Sequence, residues 1–249
     1  MKSILIEEIS WSAIKEAMNE GYKTAIFAVA STEQHGPHLP TGTDAFIGDN
    51  YTRRVAEKLG NALVAPTIRF GCSAHHMGFP GTITLTTQTL VEMIQDVCLS
   101  LDRHGFENIV IMSSHGNNHG PVIAAAQEVA PKVKATVVAL AYPNQATNKM
   151  GEVYDKHGIT PMEAGYHAGA SETAFIMAYR PDLIDREKLT KGYVGPYAEK
   201  FFYTVEALKR VAPIGVFGDP TKATKELGED LAEVVVDRYV EVIKNELER

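Results

Sequence analysis

The sequence predicts an α/β protein organised on a mostly parallel sheet, and three observations carry that prediction. Short apolar runs rich in β-branched residues alternate with longer amphipathic segments, the order that parallel strands joined by crossover helices require. Two of the runs, TAIFAVA and NIVIM, are apolar at nearly every position, as strands buried on both faces are. The chain has 249 residues, 45% hydrophobic and 22% charged, with no internal repeat, low-complexity tract or obvious linker. Residues 1–249 are therefore expected to form one domain around one core.

Taken in order, Thr24–Ala30 reads as a buried strand. Ala45–Leu59 follows as a helix, with Thr43 or Asp44 placed to cap it and Gly60 to end it. Asn61–Pro66 is a short strand, and a glycine-rich loop runs from Phe70 to Gly81. Thr87–His104 carries Leu90, Met93, Ile94, Val97 and Leu101 at helical spacing, with Gly105 where a terminating glycine belongs. Asn108–Met112 is a central parallel strand, Val122–Val129 a helix with Pro121 in its first turn, and Lys134–Ala141 another strand. From Tyr142 to Tyr166 the pattern lapses into polar sequence, which predicts a long loop near the site. Ser171–Ala178 reads as a short helix, Ile214–Pro220 as a turn-rich segment and Thr224–Leu247 as a closing amphipathic helix.

Composition narrows the function. A net charge of −7, with no basic stretch interleaved with aromatics, argues against nucleic acid or an anionic membrane as partner. No apolar run approaches the ~20 residues that span a bilayer. The opening MKSILIEEISW lacks the charge order and apolar core of a signal peptide. The expected location is the cytoplasm, where Cys72 and Cys98, which form no paired motif, stay reduced. No glycine-rich phosphate-binding motif follows any strand, which removes the nucleotide-binding reading.

The histidines point to the chemistry. Of nine, seven fall in four loop segments: His35 and His38, His75 and His76, His115 and His119, and His167. Each segment follows a predicted strand or opens a helix, so the loops converge on one crevice at the carboxyl ends of the strands. Metal ligation or acid–base work is what such a gathering suits. Glu33 and His35 alternate just beyond the first strand, so an extended backbone is expected to point them to different sides, one to serve each of two metals. Asp44, at the start of the next helix, is placed to bridge them with its two oxygens. The blander alternative leaves Asp44 as a cap and His35 as a loop hydrogen-bonder. His115 sits on a sharp turn among small residues, facing the crevice. His119 joins it only if the turn is already helical. His167 is the candidate for proton transfer, with Glu172 five residues on as a partner or, alternatively, part of a surface helix. Ser73 and His76 either line the pocket or pack a loop.

Glu33-Gln34-His35-Gly36-Pro37-His38-Leu39-Pro40 with Thr43-Asp44 resembles the defining motif of the creatininase family of amidohydrolases. His115-Gly116-Asn117-Asn118 is similar to that family's HGGN segment. Gly78-Phe79-Pro80-Gly81-Thr82, His167-Ala168-Gly169 with Glu172, and Gly215-Val216-Phe217-Gly218-Asp219-Pro220 resemble its later motifs, in order along essentially the whole chain. The resemblance implies a three-layer α/β/α fold, a hexameric homo-oligomer, and a binuclear site for zinc, manganese or iron. It implies that Glu33 and His115 hold one metal, His35 the other, and that Asp44 bridges. His167 would be the acid–base residue and Glu172 a ligand or a neighbour of one. Ser73, His76 and Asn117 are the expected substrate contacts. Two positions depart from the creatinine-hydrolysing members. Asn117 stands where those carry a metal-binding glutamate, and Glu163 and Ala164 stand where they carry a tryptophan. The expected reaction is metal-assisted hydrolysis of a C–N bond in a small cyclic amide or formamide. The alternatives are hydrolysis of a C–C bond in a cyclic inositol-derived diketone on the same site, or non-catalytic binding.

Overall fold

Four parallel strands, β1 (Thr24–Val29), β2 (Ala62–Val64), β3 (Asn108–Ser113) and β4 (Thr136–Leu140), form a sheet in the order β2-β1-β3-β4. The computed structural model describes residues 2–141, 147–196 and 207–248. β1 pairs with β3 along its whole length, from Thr24 opposite Asn108 to Val29 opposite Ser113. The two central strands therefore end level, and the loops that follow them leave the sheet side by side.

The helices are α1 (Trp11–Asn19), α2 (Thr43–Leu59), α3 (Thr87–Arg103), α4 (His119–Val129), α5 (Thr147–Lys156), α6 (Pro161–Ala164), α7 (Ala170–Tyr179), α8 (Ala207–Val211) and α9 (Lys225–Leu247). Side chains alternate across a strand, so Ala25, Phe27 and Val29 of β1 face one layer with Ile109 and Ile111 of β3. There they pack on Leu90, Ile94 and Cys98 of α3 and Val122 and Ala125 of α4, with Ala17 of α1 alongside. On the other face Ile26, Val110 and Met112 meet Val55 of α2 and Val235, Val236 and Tyr239 of α9. The result is the expected three-layer α/β/α architecture. α7 lies against α9, and a Cβ at Gly228 of α9 would overlap the Ala174 carbonyl of α7.

Three expectations change. α2 begins at Thr43 with Gly42 as its N-cap, so neither Thr43 nor Asp44 caps the helix. Asp44 is buried in the first turn instead, which frees its carboxylate for the site. The predicted loop from Tyr142 to Tyr166 holds two helices, α5 and α6; its first part, Tyr142–Ala146, lies outside the described residues. Val153 of α5 and Ile159 beyond it are buried against Leu227 and Leu231 of α9. A capping box between Thr160 and Glu163 opens α6. Here an apolar stripe of one or two residues, held by tertiary packing, outweighs a polar local sequence. α4 opens at His119, so the turn after β3 is already helical when it reaches that residue.

Candidate metal centre

In the order β2-β1-β3-β4 the chain turns to opposite sides after β1 and after β3. The crevice between these strand ends is where open α/β sheets bind ligands. Glu33 and His35 follow β1, and His115 follows β3. Asp44 enters from the first turn of α2, His76 from the loop after β2, and Glu172 from the first turn of α7.

Asp44 stands at the centre. Its Oδ1 lies 3.3 Å from His35 Nε2 and its Oδ2 3.1 Å from His115 Nδ1. Glu33 Oε1 lies 3.4 Å from His115 Nδ1, 3.2 Å from His76 Nε2 and 3.7 Å from His167 Nδ1. Glu172 Oε2 completes the far side, 3.8 Å from His35 Nε2. Glu33, His35 and Asp44 are 1–2% exposed. Yet Glu33 Oε2, His35 Nε2 and Asp44 Oδ2 are buried atoms with no hydrogen-bond partner. Three orphaned ligand-type atoms converging in one buried cluster are what a cation would satisfy. Carboxylate oxygens and imidazole nitrogens at these separations suit zinc, manganese or iron.

The proton positions agree with that role. His35 Nδ1 lies 3.1 Å from the Glu33 carbonyl, which can only accept, so Nδ1 keeps a proton there and Nε2 is the nitrogen left for a cation. His115 is 3.3 Å from the Cys72 carbonyl through Nε2, which leaves Nδ1 inward. A metal-binding imidazole is held in just this way, by a hydrogen bond from its other nitrogen.

Electrostatics set the charges. Burial alone would lower His35, but Asp44 and Glu172 raise it to about 10. Burial is likewise outweighed at His115, which Glu33 and Asp44 raise to about 9. Asp44, despite its burial, is held well below the usual carboxylate range by His35 and His115. Burial and the neighbouring Asp44 charge push Glu33 up to about 7, against the pull of His115. The carboxylates that would hold a cation thus hold protons strongly on two imidazoles. His167 is driven well below its ordinary value, first by burial and then by His35, and is neutral.

The sequence-predicted residues divide by what they touch. His167 stacks tilted on His35 at 4.3 Å between ring centres. Its Nε2 is 2.7 Å from the Gln34 carbonyl, so the proton lies on Nε2 and Nδ1 faces Glu33. Ser73, fully buried, bonds Ser31 and lies 3.3 Å from His115 Nε2. His76 faces Glu33 and Gln34. Asn117 is partly exposed and its Nδ2 donates to His75 Nδ1 at 2.9 Å. His38 turns away to Thr173 Oγ1 of α7, at 2.9 Å.

Two supporting residues escaped the sequence reading. Gln34 lies between two candidate ligands, and its amide reaches both His76 and His167. Asn118 donates to the Val29 and Ala30 carbonyls and accepts from Cys72 N–H, tying three site loops together. Residues i and i+2 of an extended stretch share a side, so Glu33 and His35 reach one cluster together instead of pointing to different sides, and nothing local says what Gln34 meets.

The family model for creatinine amidohydrolase matches residues 7–243. The chain belongs to the creatininase family. It is 31% identical over 222 residues to the mycofactocin precursor peptide peptidase of Mycolicibacterium smegmatis, covering 87% of this chain and 82% of that one. It is 26% identical over 258 residues to the creatinine amidohydrolase of Pseudomonas putida, covering 98% of each. A solved creatininase superposes with a TM-score of 0.87 at 26% identity, covering 99% of this chain and 98% of that one. A zinc–zinc creatininase variant has a TM-score of 0.85 at 26% identity, covering 99% of each chain. A manganese form has a TM-score of 0.86 at 25% identity, covering 98% and 99%. As a creatininase-family protein, the chain is a metal-dependent amidohydrolase acting on amide C–N bonds.

Proposed function

We propose that this protein hydrolyses the C–N bond of a small cyclic amide or formamide at a two-cation site. The observation that carries the reading is Asp44, whose two carboxylate oxygens face His35 and His115 separately. Glu33, His115 and Asp44 would hold one divalent cation, zinc, manganese or iron; His35, Asp44 and Glu172 would hold the other. Bound there, such cations supply a nucleophilic water ionised near neutral pH and polarise the scissile carbonyl.

The chain's own residues do the rest. His167 presents a bare Nδ1 to the cluster and has its other nitrogen tied to the Gln34 carbonyl. It is therefore oriented to take a proton from the attacking water and pass it to the leaving nitrogen. Glu172 receives the Ala168 N–H at 2.5 Å, which fixes its carboxylate beside His35 and His167. Asn117 is more exposed than Ser73 and His76, which suits it to touch the substrate. Ser73 is placed to steady His115.

Asn117 in place of a glutamate, and Glu163 and Ala164 in place of a tryptophan, favour a substrate other than creatinine. The 31% identity to a precursor-peptide peptidase supports a second reading, in which the amide is a peptide bond. The whole chain is read as one hydrolase domain, cytoplasmic and assembled as a homo-oligomer. Among the described residues no helix is long and apolar enough to cross a membrane.

The test is hydrolysis by chelator-stripped protein reloaded with manganese or zinc. The panel holds creatinine, other cyclic amides, a formylamino-pyrimidine, a short peptide and an inosose-type diketone. Metal-dependent release of an amine from one amide class is expected. Turnover of the diketone alone, or of nothing by protein shown to carry two cations, would overturn the proposal.

A further inference from the structure

Glu33 Oε1 is ringed by three imidazole nitrogens, yet only one of them can donate to it. With a cation bound, His115 keeps its proton on Nε2, toward the Cys72 carbonyl at 3.3 Å, and its Nδ1 faces the cation with none to give. His167 Nδ1 stands 3.7 Å from Glu33 Oε1, beyond hydrogen-bond reach. That leaves His76, whose Nε2 is 3.2 Å from the carboxylate oxygen.

Gln34 decides which nitrogen of His76 holds the proton. Its Oε1 accepts the Gly36 backbone N–H at 2.9 Å, and a backbone N–H can only donate. The other end of the amide is therefore the NH2 group, and it points at His76 Nδ1 from 3.0 Å. An imidazole that accepts at Nδ1 and is neutral carries its proton on Nε2. Gly215, at φ 74°, lies against the same amide, and a Cβ there would overlap Gln34 Oε1. The amide is wedged in place. A directional chain results: Gly36 N–H to Gln34, Gln34 to His76, His76 to Glu33.

We propose that His76 is a positioning residue: it donates from Nε2 to Glu33 Oε1, and so presents Glu33 to a cation through Oε2 alone. Oε2 is the buried oxygen of Glu33 that finds no hydrogen-bond partner. The proposal deepens the two-cation reading, since it takes Glu33 as a ligand. His76 is then neither a ligand nor a substrate contact. The rival arrangement turns the Gln34 amide over. Its oxygen would then accept from His76 Nδ1–H and from His167 Nε2, 2.9 Å away, His76 Nε2 would be free to ligate, and the Gly36 N–H would face an NH2 group.

The test reads proton position and metal affinity rather than turnover. Nitrogen-15 NMR of the imidazoles, in zinc-loaded and chelator-stripped protein, is expected to show His76 protonated at Nε2 and bare at Nδ1 in both. Zinc affinity, measured by competition with a chromophoric chelator, is expected to fall about 10- to 100-fold in His76→Leu. His76→Gln, which keeps an N–H donor, is expected to recover most of that loss. A His76 protonated at Nδ1 in the zinc-loaded protein would overturn the proposal, as would a Gln variant as weak as the Leu variant. The NMR measurement on the unaltered chain stands even if a variant fails to fold. Zinc bound normally with the opposite tautomer sinks the positioning role alone; absence of zinc binding sinks the two-cation reading with it.

Discussion

Removing protons from the site and binding cations to it are the same competition, and its size follows from the carboxylates around His35 and His115. A cation needs the nitrogen lone pair that a proton occupies. With His35 raised to about 10, displacing its proton at pH 7 costs about 4 kcal/mol, since each pH unit is ~1.4 kcal/mol. For His115, raised to about 9, the cost is about 3 kcal/mol. Both pKa values lie above neutrality, so each proton is present at pH 6–8 and its hindrance weakens as pH rises. Each cation's Kd should thus fall about tenfold per pH unit. Glu33, at about 7, adds a further proton below that pH and steepens the dependence for the cation it shares with His115. The assay is zinc competition titration of chelator-stripped protein at pH 6, 7 and 8. Calorimetry in two buffers of different ionisation heat would count about one proton released per histidine. A Kd flat across that range, with no proton release, would refute the reasoning.

Three further outcomes are expected. His167→Ala should lower kcat by about 10²- to 10⁴-fold, the usual worth of a positioned acid–base group, with two cations still bound on metal analysis. Burial lowers His75 to about 3 and both His38 and His119 to about 4, all below the ordinary histidine value. Their contribution to stability is present above about pH 6.5 and lost as pH falls toward 4; the urea midpoint of chelator-stripped protein should drop between pH 7 and 4.5, and an unchanged midpoint counts against this. A Cβ at Gly48 would stand 2.8 Å from Ala28 Cβ and 2.9 Å from Ser114 Oγ. Gly48→Val should therefore destabilise by about 1–3 kcal/mol in thermal melts, through overpacking of α2 on the sheet.

Much of this molecule is legible in its sequence where a physical period is long. α3 and α9 match their expected ends to within a residue or so, because apolar side chains recur on one face for several turns. β1 and β3 declare themselves by burial on both faces. The cluster of Glu33, His35, Asp44 and His115 was readable because each follows a strand or opens a helix, and topology brings those ends together. What was hidden is short or relational. α1 presents Trp11, its largest apolar residue, 78% exposed to solvent, so its spacing misleads. α5 is ten residues with few apolar positions, stabilised by packing on α7 and α9. Gln34 looks like any loop amide until both imidazoles are beside it, and no linear pattern records which nitrogen of His76 holds a proton.

The adjacent residues Asn117 and Asn118 carry identical side chains under opposite constraints. Asn118 is fully buried, with its amide committed to two carbonyls at the end of β1 and one N–H of the loop after β2. A Cβ at Gly71 would stand 2.7 Å from its Oδ1. Asn117, one position earlier, is partly exposed and its amide donates to the His75 imidazole. A lineage seeking new substrates can therefore vary the first asparagine at the cost of one hydrogen bond while the second keeps the frame rigid. Directed evolution libraries built on this chain should saturate 117 and leave 118 untouched.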